Sequence, residues 1–377
     1  MRGRRERQKT IFYAVDLDEL VPADHPLRAM KKRVDAELSR MSPVFREAYS
    51  DVGRPSVPPE HLLKALLLQA LYSIPSERKL AEHIRYNMLF RWFLDLSLES
   101  EGFDHATFSK NRERFEEHGL VQRFFDGVVR QAIDEGLASS DHFSVDGTLI
   151  QSWASLKSLR PLETKDERVS DGSDDGDPGN PSVNFRGEKR TNETHRSLTD
   201  PEARLYRKAD AQPAVLCHSG QFLMENRNGL CLEVQVREAN GRAERDAVPD
   251  LIGVARRRDR VPVETVGMDA GYASGADLVA WENEYGVVPH VPISQRVVRG
   301  AHEEAEARRR ARRRMRSIGY AISQRVRKRI EEIVGWCKQV GGLKRARHVG
   351  RWKIQQCAYI VAAAYNLVRL GNLTSAT

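Results

Sequence analysis

Three acidic residues, Asp146, Asp269 and Glu331, each sit in a short stretch whose neighbours suit a magnesium ligand. The first ends the run Phe143, Ser144, Val145, Asp146, which reads as a short strand closed by a turn at Gly147. The second lies in residues 263–272, where another β-branched run meets an Asp flanked by Gly267 and Gly271. Both patterns place a carboxylate at the lip of a sheet. The third follows Ile330 in residues 325–342, whose apolar members Ile330, Ile333, Val334, Cys337 and Val340 recur at helical spacing. Arg327, Glu331 and Lys338 then share a stripe beside that apolar face, because such offsets return to nearly the same helical angle.

Breaking or transferring a phosphodiester needs an activated oxygen nucleophile in line with the leaving oxygen, and two divalent ions about 4 Å apart can serve both. Magnesium takes hard oxygen ligands and keeps several waters, so a few carboxylates from separate segments suffice. Two Mg2+ ions, with Mn2+ as an acceptable substitute, are the expected cofactors, held by Asp146, Asp269 and Glu331. Arg327 and Lys338 would contact the phosphates. Singly, each acid has a commoner explanation, as a turn Asp or as half of a surface ion pair. Their conjunction points to metal-assisted phosphodiester chemistry on DNA.

Positioning such a set requires a scaffold, and the periodicities supply one. Residues 1–138 read as mostly helical, with an apolar stripe over residues 58–72, Ser76 opening the next helix, and a further pattern over residues 121–133. Between them, residues 104–115 form a capped helix with Lys110, Asn111, Arg112 and Arg114 available for phosphates and base edges, as a two-helix DNA reader requires. A solvated helix face is the competing reading of the same residues. Two β-rich runs flank Asn226 to Gly229, a hairpin signal, and a helix over residues 244–254 leads to the Asp269 strand. That order predicts an α/β fold, a mixed sheet covered by helices. Residues 160–195 shift abruptly in composition, and the acidic, glycine-rich stretch 171–180 has nothing to pack, so an insert without fixed structure is expected there. The expected domains are therefore 1–138, helical and DNA-end-binding, and 139–159 with 196–375, catalytic.

The residues around the acids also match a family as strings. SVDGTLIQSWAS from Ser144, NETHRSLTDPEARLYRK from Asn192, MENRNGL from Met224, GYAISQR from Gly319 and AAAYNLVR from Ala362 together span nearly the whole chain. In these segments the chain resembles bacterial insertion-sequence DDE transposases of the family-five type. The resemblance implies a ribonuclease-H-like catalytic domain, binding to the terminal inverted repeats of an element, hydrolysis to a 3′ hydroxyl and strand transfer to target DNA, with a homodimer as the economical synaptic unit. The family's third-acid signature is Tyr, two residues, Arg, three residues, Glu, six residues, Lys. Arg327, Glu331 and Lys338 satisfy its last three positions, whereas Gln324 stands where the tyrosine belongs and Tyr320 lies one turn earlier. A second departure is the arginine-rich segment 299–316, where the family has a Ser/Thr/Asp-containing connector.

Bulk properties agree with a polyanionic partner. The 377 residues carry 61 basic against 53 acidic side chains, a net +8, concentrated at residues 2–9, 256–260 and 308–316. No stretch approaches the ~20 apolar residues that span a bilayer, so a cytoplasmic, nucleoid-associated bacterial protein is expected. Cys217, Cys231, Cys337 and Cys357 have no zinc or disulfide spacing. His195 and His290 read as structural histidines. The competing functions are a structure-selective nuclease on the same fold and a DNA-binding derivative that has lost turnover.

Overall fold

The computed structural model describes residues 16–50, 52–53, 55–162, 183–185, 188–207, 213–259, 261–294 and 301–375. The basic run at residues 2–9 and the acidic stretch 171–180 lie outside the described residues. Among the described residues, eight helices come first: α1 (Leu17–Leu20), α2 (Pro26–Arg40), α3 (Ser42–Ala48), α4 (Pro59–Leu71), α5 (Glu77–Tyr86), α6 (Met88–Phe93), α7 (Ala106–Glu117) and α8 (Leu120–Asp134). Sequence chemistry sets several of their ends. Ser76 accepts the Lys79 N–H and starts α5, and Asn87 accepts from Leu89 and Phe90 and starts α6.

The strands follow: β1 (His142–Gln151), the short β2 (Leu159–Pro161), β3 (Val183–Phe185), β4 (Glu188–Arg190), β5 (His195–Ser197) and β6 (Arg204–Tyr206), then β7 (Val215–Glu225), β8 (Cys231–Glu238), β9 (Thr265–Gly267) and β10 (Val288–His290). β1 pairs antiparallel with β7 and parallel with β9. β9 continues parallel to β10, and β8 continues antiparallel beyond β7. β6 prolongs the line of β8 along the same edge of β7. The spatial order β8-β7-β1-β9-β10, three antiparallel strands joined to two parallel ones, is the ribonuclease-H-like arrangement.

The β7–β8 hairpin turns where the Asn-Gly signal predicts. Buried Glu225 organises it by accepting the backbone N–H groups of Arg227, Asn228 and Leu230, and Gly229 takes a positive φ of 71° that suits glycine. A buried polar cluster holds the far end of β1: Asp200 Oδ2 accepts from Ser152 Oγ at 2.6 Å and lies 2.9 Å from His218 Nε2. Ser152 and Asp200 belong to segments that carry the family resemblance, and with His218 they fasten the approach to β6 onto β1 and β7.

The later helices are α9 (Ala243–Asp259), α10 (Gly275–Asn283), α11 (His302–Arg314), α12 (Ile318–Arg327), α13 (Ile330–Gln339) and α14 (Arg351–Ser375). α9 packs on β7 and β8, while α12 and α13 lie against β1 and its neighbours. α14 touches β8, α8, α4 and α2, and its buried Ala358, Ala362, Ala363 and Ala364 allow that close approach on several sides. One apolar core consequently runs from the N-terminal helices into the sheet. The arginine-rich segment is part of the fold: α11 buries Ala307 and Ala311, and Arg310 and Arg314 both pair with Glu282 of α10. Among the described residues, no helix is long and apolar enough to cross a membrane.

Two local expectations are corrected. Gly147 does not close a turn after Asp146. β1 runs straight through both, with Asp146 opposite Phe222 and Gly147 opposite Gln221. The single helix expected over residues 325–342 is broken: α12 ends at Arg327, residues 328 and 329 form a turn, and α13 starts at Ile330. At the junction the bonds tighten, Glu331 N–H reaching Lys328 O at 3.1 Å and Glu332 N–H reaching Arg329 O at 2.9 Å. The angular argument that put Arg327, Glu331 and Lys338 on one stripe does not carry across that turn.

Candidate active site at the β1–β9 lip

The parallel pairing of β1 with β9 brings Asp146 and Asp269 into one neighbourhood. Asp146 is half-buried in mid-strand, where its Oδ1 accepts the Gly147 N–H at 2.8 Å. Asp269 lies two residues beyond β9 and is also half-buried. It starts the short 3-10 turn Ala270–Tyr272 by accepting the Gly271 N–H at 2.8 Å. In both, a local backbone N–H fixes the carboxylate.

That turn delivers Tyr272 into the middle of the site. Its ring is fully buried against Trp281, with centroids 6.5 Å apart, and its hydroxyl has no hydrogen-bond partner. Burial pushes the phenol well above its ordinary range, and the carboxylates of Glu244, Asp146 and Asp269 push the same way, opposed by Arg327. Tyr272 is therefore within electrostatic range of all four charged groups.

Arg327 and Lys338 reach the site from the opposite helices. A Cβ built on Gly267 of β9 would lie 3.6 Å from Arg327 Cβ and 2.9 Å from Ser323 Oγ, so glycine there lets α12 press directly on the strand. Lys338 Nζ donates to Thr148 Oγ1 of β1 at 2.8 Å. Gln324, at the position where the family has tyrosine, donates through Nε2 to His290 O at 2.5 Å and Met268 O at 3.2 Å. It thus ties α12 to the ends of β9 and β10, a fastening role that needs an amide donor and no aromatic ring.

Glu331 sits in the first turn of α13 with its side chain exposed. Glu332 is exposed as well and lies 4.0 Å from Arg369. Among the described residues, no three His, Cys, Asp or Glu side chains stand close enough together to hold a metal ion. Asp146, Asp269 and Arg327 thus all lie within electrostatic reach of Tyr272, and Lys338 of α13 bonds Thr148 of β1, while Glu331 stays at the surface.

The α7 residues are placed differently. Lys110 is exposed, but Asn111 is buried, donating to Thr107 O at 2.8 Å and accepting from Tyr49 Oη at 2.8 Å. Arg112 pairs with Glu77, and Arg114 stacks its guanidinium 4.5 Å from the Tyr49 ring centroid. Of this set only Lys110 presents its charge fully to solvent.

Glu244 and Gln221, packed against Gly147, and Tyr272, beside Asp269, carry no distinguishing pattern in the sequence. Glu244 is an ordinary first-turn acid of α9 by pattern, and Gln221 alternates within a β-rich run. Only Tyr272, directly after the Asp269 glycine turn, was adjacent to a residue already singled out.

Residues 199–367 match the family described as Transposase DDE domain, and residues 15–114 match the one described as Transposase domain (DUF772). The chain thus carries a DDE-type transposase domain behind an associated N-terminal transposase domain. No curated protein and no solved structure matches it.

Proposed function

We propose that the chain is an insertion-sequence transposase of the family-five type, and that the β1–β9 lip is where it breaks and joins DNA. The observation that carries this reading is that Asp146 of β1 and Asp269, just past the end of the parallel strand β9, lie within electrostatic reach of Tyr272 together with Arg327. Magnesium needs only one or two carboxylates, completing its shell with waters and phosphate oxygens, and two half-buried carboxylates held by local N–H groups fit that need. Asp146 and Asp269 would hold the ion, with Mn2+ able to replace Mg2+. When bound, the ion would supply Lewis acidity at the phosphate and lower the pKa of an attacking water.

The chain's own residues do the rest. Arg327 and Lys338 orient the phosphate by charge-assisted hydrogen bonds, fixing which phosphorus is presented. Hydrolysis adds a water oxygen to that phosphorus and releases the 3′ oxygen as a hydroxyl. In transfer, that hydroxyl attacks a target phosphorus, loses its proton to solvent and displaces the target's own 3′ oxygen. Asp146 and Asp269 serve both steps from fixed positions. Glu331 takes the third-acid role of the family signature when DNA draws the start of α13 toward the lip. The N-terminal helices bind the terminal inverted repeats, Lys110 being the phosphate contact on α7. A homodimer joins two ends in one event.

One observation favours a different reading, a DNA-binding derivative without turnover: Glu331 is exposed and outside the Asp146–Asp269 neighbourhood. A strand-transfer assay with purified protein and DNA carrying the ends that flank its gene separates the two. Joined product in Mg2+ supports the transposase; binding of the ends with neither nicking nor joining supports the derivative.

A further inference from the structure

β1 carries the Asp146 carboxylate in its middle and an exposed aromatic residue just past its end. Trp153 is 56% exposed, although a side chain of its size gains by burial. The Arg345 guanidinium lies over its ring, 5.1 Å from the centroid, and donates to Trp153 O at 3.3 Å. The loop after α13 holds Arg345 there: Gln151 N–H donates to Lys344 O at 3.1 Å, and Ala346 N–H donates to Gln151 O at 2.7 Å. Lys338 of the same α13 bonds Thr148. One segment therefore follows β1 from beside the lip to Trp153, bringing Lys338, Lys344 and Arg345 to it in succession.

Beyond Trp153 the basic surface continues. Leu159 of β2 packs with Ala154, Ala203, Leu205 and Leu216 in a small core of its own, which fixes β2 and β5 next to the end of β1. In that ladder Arg160 stands directly opposite Arg196, both exposed, and Lys157 is exposed in the 3-10 turn before β2. Like charges facing each other across a ladder are destabilising. The exposed Glu193 lies in the turn before β5, while Glu202 and Glu238 are taken by Arg351 at 3.2 Å and Arg204 at 2.9 Å. Among the described residues, no carboxylate forms an ion pair with Lys157, Arg160, Arg196, Lys344 or Arg345. A polyanion supplies the missing charge.

The tryptophan narrows the partner. Bases of a duplex stack on one another, so an indole meets a free aromatic face only where a nucleotide is unpaired, and a guanidinium beside the ring strengthens that contact. Gln151 is five residues beyond Asp146, about 17 Å along a strand, a span that about five nucleotides cover. Building on the reading of the lip as the place where DNA is broken, we propose that Trp153 and Arg345 form a stacking platform for an unpaired base on a DNA strand that leaves the lip along β1, with Arg160 and Arg196 holding the phosphates beyond it.

The test is binding of labelled oligothymidylate to the full-length protein, read by fluorescence anisotropy, beside a blunt duplex of equal length and unrelated sequence. Trp153→Ala should weaken the single strand by at least about fivefold and the duplex by less than about twofold, with Trp153→Phe recovering part. Arg160→Ala and Arg196→Ala should each lower the single-strand salt slope by about 0.7, while Lys32→Ala, an exposed α2 control, binds like wild type. Equal single-strand affinity in wild type and Trp153→Ala, or equal losses on both DNAs, overturns the platform. If Trp153→Ala loses its native circular dichroism, photocross-linking of wild type to oligothymidylate carrying 5-bromouracil decides: cross-links should map to Trp153, and cross-links only elsewhere overturn the proposal. Nicking of element ends, scored in parallel, separates the two readings. Trp153-dependent binding by a protein that never nicks keeps the platform and overturns the lip as the breaking site; nicking with single-strand binding indifferent to Trp153 does the reverse.

Discussion

The β1–β9 lip and the outer side of α7 were both marked by polar residues at suggestive spacing, yet the fold treats them in opposite ways. At the lip, a short-range backbone N–H anchors each of Asp146 and Asp269. Their neighbours Tyr272 and Gln221 have polar atoms without partners. On α7, Asn111 is enclosed between Thr107 and Tyr49, Arg112 is paired with Glu77, and Arg114 is stacked on Tyr49. Two buried polar atoms beside the first region stand without a partner, whereas the second uses its polar groups to hold helices together. A binding site differs from a structural network in what is left unsatisfied, which spacing alone does not reveal.

The strongest way to break the comparison is at the lip. Asp146→Asn or Asp269→Asn should lower nicking of element ends by at least about a hundredfold, the loss typical when a dominant electrostatic contact to the transition state is removed. Binding of those ends, read by gel shift, should persist or tighten, because a negative charge near phosphate has gone. Nicking at wild-type rate in either variant would return that residue to an ordinary turn or strand position.

Next comes the α13 pair. Glu331→Gln should reduce nicking by about a hundredfold at fixed magnesium, on the same electrostatic grounds, while Glu332→Gln, near Arg369 at the surface, should stay within a few-fold. Loss confined to Glu332 would show that α13 meets DNA in a different register.

On α7 the expected effects change kind. Asn111→Ala should destabilise the fold by about 1–3 kcal/mol, since the half-buried Tyr49 hydroxyl and Thr107 carbonyl lose a partner. A melting curve measures this, and an unshifted midpoint with a selective loss of affinity for the element ends would make Asn111 a base reader after all. Lys110→Ala should leave melting unchanged and lower the salt slope of binding by about one unit.

The smallest expected effect concerns pH. Burial, then the neighbouring His142 and Arg314, lowers the His290 imidazole from an ordinary 6.5 to about 4. Between those values the unfolded chain takes up a proton that the folded chain refuses, so this group's contribution to stability falls as pH falls through the window. His290→Gln should flatten that acid limb of the stability profile; an identical slope would mean that His290 is protonated in the folded protein.

Much of the scaffold was legible because local chemistry and tertiary structure agree. Ser76 caps α5, the Asn-Gly pair turns the β7–β8 hairpin, and the β-branched run before Asp269 is β9. The ribonuclease-H-like order follows from where those strands pair. What was not legible depends on partners remote in sequence. Gly147 looks like a turn until Gln221 and Glu244 are seen pressing on its Cα, and then the requirement is closeness and not chain reversal. The break at residues 328–329 is hidden because Lys328 and Arg329 are good helix formers, and only the tightened bonds around them show the interruption. Asn111 and Arg114 have the composition of an exposed stripe, and nothing nearby in sequence announces that Tyr49 covers them.

The central claim, that the lip formed by β1 and the end of β9 is the ion-holding centre, can be tested by letting the ion mark its own position. Full-length protein loaded with Fe2+ in place of Mg2+ and treated with ascorbate and peroxide generates hydroxyl radical at the bound ion, and mass spectrometry locates the resulting backbone cuts. Cuts should cluster around residues 145–148 and 268–272, and should disappear in Asp146→Asn. Cuts confined to other segments, or a pattern unchanged by that substitution, would contradict the assignment.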